Sequence, residues 1–145
     1  LENMPGFPAG VDSRLLLHML RNQVKRHCAR RRDGRVTRIL TTDNGLLVNS
    51  DRTGQLSAEW VKCASSADTG YLADLEDFEL VDRGSKTYVD VTDDDWTGIP
   101  GLYAAGRIAG TRHQTVITAG NAANVALAIV EASNVAFYHD WVAPD

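Results

Sequence analysis

The chain has 145 residues, 43% hydrophobic and 23% charged, with a net charge of −4. That length and balance suit one globular domain with a real hydrophobic core and exclude long-range disorder. No run is read as an apolar membrane span, and no basic-plus-apolar leader opens the chain, so a cytoplasmic protein is expected.

Residues 1–10 hold two prolines and two glycines and read as an extended loop. The opening at Leu1 rather than at methionine reads as an excised domain. Asp12 or Ser13 has the chemistry of an N-cap. A helix is predicted from Ser13 to about Ala29, its apolar face made by Leu16, Leu17, Leu20, Val24 and Cys28. On that stripe Cys28 reads as a small buried hydrophobe. Nine of the fifteen Lys and Arg lie between Arg14 and Arg38, including Arg30-Arg31-Arg32. Such a run can bind phosphates or nucleic acid, but more often it is a solvated helix end.

Asp33-Gly34 marks a turn. Residues 35–42 alternate as a strand, and Asp43-Asn44-Gly45 is a strong tight-turn signal. Residues 46–50 form a second strand, Arg52-Thr53-Gly54 a second turn, and residues 55–64 a third strand. The spacing predicts a three-stranded antiparallel meander, with Cys63 inside its last strand. A short helical turn is expected within Asp68–Leu75, then short strands at 79–82 and 87–91 around Asp82-Arg83-Gly84. Ten of the nineteen acids lie between Asp68 and Asp95, and Asp93-Asp94-Asp95 is read as an exposed loop. Gly101–Ala105 reads as a short buried strand, and Gln114–Ala132 as a helix. Residues 134–145 are apolar and aromatic, and read as a docking tail. The order is α/β, with a parallel sheet covered by the helices and the meander.

The stretch Gly101–Ala123 carries the strongest hint of a site. A buried strand ends at Ala104-Ala105-Gly106, a loop runs from Arg107 to Arg112, and a helix begins near Gln114. Ligands of open α/β sheets bind beyond the carboxyl ends of strands, and a helix N-terminus offers free N–H groups to electron-rich atoms. Elsewhere the signals are weak. The two cysteines form no Cys-x-x-Cys. His18, His27, His113 and His139 have no metal-ligand spacing, and no Gly-x-Ser-x-Gly occurs. Trp60, Trp96 and Trp141 read as packing residues.

Five motifs in order carry a resemblance. Ile-Pro-Gly-Leu-Tyr-Ala-Ala-Gly at 99–106 resembles the second flavin-binding fingerprint of the thioredoxin reductase-like, FAD-dependent pyridine nucleotide–disulfide oxidoreductases. His113-Gln114-Thr115-Val116 resembles that family's Arg-Gln-Ala-Ile, and Leu1–Pro8 its Glu-Asn-x-Pro-Gly stretch. The Asp43-Asn44-Gly45 meander and the stretch from Gly70-Tyr71-Leu72 to Asp90 are similar to the segments between. The resemblance implies a partial, Rossmann-like FAD domain over 1–145, with FAD as the family cofactor. It implies that Asn3 approaches the isoalloxazine and that Gly106 permits close backbone approach. Gln114, Thr115 and Val116 would turn backbone N–H groups to the pyrimidine edge, with His113 beside them.

The departures are specific. No Gly-x-Gly-x-x-Gly and no nicotinamide domain occur in the 145 residues, and Ala64-Ser65-Ser66 stands for the family's Ala-Thr-Gly. Arg107 stands where the family has a ribityl-binding aspartate. An arginine donates but cannot accept, so a surface ion pair with an Asp-rich loop competes with a ligand role. The reading is therefore a partial flavin domain, not competent alone for disulfide reduction. Its alternatives are a cofactor-free scaffold and a basic-patch binder. A homodimer is expected, since an incomplete sheet leaves an open edge. No membrane, metal or nucleic-acid partner is expected.

Overall fold

The structure is a computed structural model and describes residues 1, 4–27, 29–66 and 68–133. Asn3, Cys28 and the expected docking tail at 134–145 lie outside the described residues.

Helix α1 runs Ser13–Arg26. Asp12 caps it, its Oδ1 accepting from the amides of Arg14 at 2.8 Å and Leu15 at 3.2 Å, which satisfies two donors the helix leaves free. Lys25 and Arg26 fall in the last turn, where cations suit the helix dipole. The helix ends three residues before the expected Ala29. Among its described residues the apolar stripe is buried at one position: Leu16 is 3% exposed, whereas Leu17, Leu20 and Val24 are exposed. The expected core-facing helix is therefore largely uncovered.

The meander is as expected. Strands β1 (Val36–Thr42), β2 (Gly45–Ser50) and β3 (Gly54–Ala58) pair antiparallel in that order. The third strand does not continue to residue 64. It breaks at Glu59-Trp60, and β4 (Val61–Cys63) leaves the meander to pair in parallel with β7 (Leu102–Ala104). The break has a steric partner. Gly101 has φ +77°, and a Cβ there would run into the Glu59 carbonyl oxygen, so glycine lets the two backbones meet. The amide of Val61 then donates to Gly101 O at 2.8 Å, and that of Ala105 to Cys63 O at 2.8 Å.

A 3₁₀ turn at Gly70–Leu72 fills the expected helical stretch, and strands β5 (Leu80–Arg83) and β6 (Lys86–Val89) form the expected hairpin. One apolar cluster joins these pieces: Ile39 and Leu46 from the meander, Leu72, Val89, Leu102 and Ile108. A second joins Tyr103, Ala105 and Val125, with Trp60 and Ile129 packed against it. The Trp60 and Tyr103 rings lie 6.3 Å apart.

Helix α2 spans Thr115–Ala132, with Gln114 at its N-cap. Of its eighteen residues only Val125 is fully buried. Its mean hydropathy is 1.3, and it is long and apolar enough to cross a membrane, which corrects the expectation that no run reaches that length. Asn121 and Asn124 nevertheless hold one face of it against protein, as described next.

Candidate functional site

Strand β7 ends at Ala104, and the chain passes through a 3₁₀ turn at Gly106–Ala109 before α2 begins. Between this crossing and α1 lies an open cavity of about 960 Å³. Gly106, Arg107, His113, Gln114 and Thr115 line it, together with Ala64, Ser65 and Ser66 from the end of β4. Five of the seven sequence-derived site residues thus converge. Val116 does not line the cavity, and its side chain is exposed.

Gly106 has φ +74°, and a Cβ there would sit 2.9 Å from Thr118 Cγ2. Its smallness therefore serves the approach of α2 to the turn. Its amide is already engaged, donating to Asn121 Oδ1 at 2.6 Å. Asn121 is the hub of a network that sequence reasoning missed. Its Oδ1 also accepts from Thr111 Oγ1 at 3.3 Å, and its Nδ2 donates to Asp95 Oδ2 at 2.7 Å. Asn124 Nδ2 reaches the same carboxylate oxygen at 3.4 Å. Asp95 is 7% exposed, which corrects its assignment to an exposed acidic loop. A buried carboxylate needs partners, and α2 supplies them. The available signal was the i, i+3 spacing of Asn121 and Asn124 in an otherwise largely apolar helix, which puts both amides on one face.

At the mouth, Thr118 donates backbone N–H (2.9 Å) and Oγ1–H (2.6 Å) to Gln114 O. The Gln114 amide, expected to face the pyrimidine edge, donates instead to Arg112 O at 2.8 Å; among the described residues no side chain caps the first amides of the helix, those of Thr115, Val116 and Ile117. They give this end of the cavity a partial positive charge. Arg107 and His113 add side-chain donors, and no carboxylate is among the described lining residues. The expected ion pair of Arg107 is not found: among the described residues its side chain has no hydrogen bond or ion pair. Three other arginines do pair, Arg31 with Asp33, Arg35 with Asp68 and Arg38 with Asp74.

Behind the cavity wall, Cys63 is buried at the end of β4. Burial pushes its thiol above the ordinary value, partly offset by a hydrogen bond with Tyr71. Burial also raises the Tyr71 phenol, whose oxygen lies 3.0 Å from Ser65 Oγ. Cys63 is thus a packed thiol rather than a poised nucleophile.

No protein-family model matches the chain, and no curated protein matches it. Solved structures do. A thioredoxin reductase from Gloeobacter violaceus superposes with a TM-score of 0.84 at 13% identity, covering 98% of this chain and 84% of that one. The fold is that of the thioredoxin reductases. The atypical thioredoxin reductase TRi from Desulfovibrio vulgaris Hildenborough matches at TM-score 0.73 and 13% identity, covering 94% of this chain and 86% of that one. A ferredoxin-flavin thioredoxin reductase from Clostridium acetobutylicum matches at 0.62 and 13%, covering 92% and 83%. At these identities the thioredoxin reductase likeness is one of fold.

Proposed function

We propose that the chain is a flavin-binding portion of a thioredoxin reductase-like oxidoreductase, with a Rossmann-like layered domain as its parent architecture. One observation carries this reading: the cavity at the carboxyl end of β7 is lined by five of the residues that the family resemblance singles out, Gly106, Arg107, His113, Gln114 and Thr115. The lining suits the ring end of a flavin. It is apolar along Ala105, Ala119 and Ala122, with donors gathered at one edge and no carboxylate among the described lining residues.

A bound flavin supplies reversible electron transfer. The chain's own part is to orient and to stabilise charge. The amide of Thr115, a residue of the cavity lining, would face the pyrimidine edge of the ring, where negative charge collects on reduction. Ala119 and Ala122 leave room for a flat ring, and Ser66 also lines the cavity, whereas the Ser65 hydroxyl is engaged by Ser66 O and Tyr71. Neither cysteine has a Cys-x-x-Cys partner, and Cys63 is buried. We therefore expect no disulfide reduction from these residues alone. A cytoplasmic location and a homodimer complete the proposal.

The test is a flavin-fluorescence titration of the purified chain, with its absorption spectrum recorded after desalting. Saturable quenching is expected. Ala119→Phe, an exposed position on the cavity wall, should abolish it while leaving the circular dichroism unchanged. Absence of quenching in the unsubstituted chain overturns the flavin reading in favour of a cofactor-free scaffold.

A further inference from the structure

We infer that Arg107 is the anion-binding group of this cavity and that it selects a flavin bearing a phosphate on its side chain. The inference rests on the flavin reading and adds to it the class of ligand and the residue that chooses it.

A guanidinium presents a planar fork of donors that matches a carboxylate or a phosphate. Arg107 has no such partner among the described residues, although the chain is rich in carboxylates. The buried Asp95 is already bound by Asn121 and Asn124. The backbone beneath Arg107 is fixed on both sides. The amide of Gly110 donates to Arg107 O at 3.1 Å, that of Thr111 to Gly106 O at 3.1 Å, and that of Gly106 to Asn121. A rigidly based arginine with no partner among the described residues lines a cavity whose described lining residues include no carboxylate. Such a group fits a phosphate, which accepts two parallel N–H bonds. It fits ribityl hydroxyls less well, since they offer no charge to match.

The phosphate has two sources, the monoester of FMN and the pyrophosphate of FAD. Riboflavin, which has neither, is the control. Titrating the full chain with all three at low ionic strength should give riboflavin an affinity at least about tenfold weaker than the better phosphorylated flavin. Arg107→Ala should collapse that ratio toward one, and Arg107→Lys should keep part of it. Added salt should lower the ratio in the unsubstituted chain and leave that of Arg107→Ala unchanged. FMN binding more tightly than FAD assigns the site to a monoester, and the reverse order assigns it to the pyrophosphate. Equal binding of riboflavin, or a phosphate preference that survives Arg107→Ala, overturns the inference and leaves the flavin reading standing. Failure of all three flavins to bind overturns both. A melting curve for Arg107→Ala that matches the parent separates lost binding from lost folding.

Discussion

At the scale of single residues, the site is held by polar groups that its own motif does not contain. The fingerprint leads to Gly106, but the amide of Gly106 is bound by Asn121, and Asn121 is oriented by Asp95. The sequence makes Gly106 legible because a glycine at a strand end has few other uses. It leaves Asp95 illegible because three consecutive aspartates look solvated, and only the tertiary fold turns the third one inward, at φ +61°. Asn121→Ala removes the acceptor for Gly106 and a donor to a buried carboxylate. Leaving buried groups unpaired costs about 1–3 kcal/mol each, so the variant should lose at least about 2 kcal/mol. Asn124→Ala removes only a 3.4 Å contact and should lose well under half as much. Urea denaturation of the two variants checks the ranking, and equal losses would remove Asn121 from the centre of the network.

At the scale of elements, turn chemistry made the meander and the β5–β6 hairpin legible, because Asp-Asn-Gly and Asp-Arg-Gly fix where strands reverse. The transfer of the chain from β3 to β4 was not legible, because residues 55–64 are strand-like throughout. The break depends on Gly101, some forty residues away, meeting Glu59. The consequence is that Cys63 sits at the buried end of a parallel pair rather than on a meander edge. Its thiol is raised by burial above the ordinary value of 9.0, so the folded protein holds that proton to higher pH than the unfolded chain does. The contribution to stability is fully present below about pH 9 and is lost as the pH climbs through the folded value. Alkylation of Cys63 by iodoacetamide, followed by peptide mass mapping, should be slow at pH 8 and track unfolding. Rapid labelling under native conditions would mean that β4 is not packed as described.

At the scale of the whole molecule, the α/β order was legible and the degree of cover was not. Helical periodicity identifies an apolar face but says nothing about what lies against it. On α1, Leu15 is 53% exposed, Leu17 50% and Val24 51%; on α2, Val116, Ile117 and Leu127 are also exposed. Uncovered apolar surface on two helices favours association, since burial is worth about 25 cal/mol per Å². The charge segregation gives that association a direction. Basic side chains of α1 can meet, in a second copy, the acidic side chains of residues 68–95 other than Asp68 and Asp74, which pair within the chain, and the buried Asp95, and a two-fold axis would make the contact twice. Sedimentation equilibrium should therefore show a concentration-dependent shift toward twice the mass of 15.8 kDa. The variant Leu15→Ser/Val24→Ser should move that equilibrium toward monomer without lowering the melting temperature at low concentration. Those side chains are exposed in the monomer and contribute little to its core. A parent chain that stays monomeric throughout, or a double variant that associates unchanged, would rule out the α1 face as the contact.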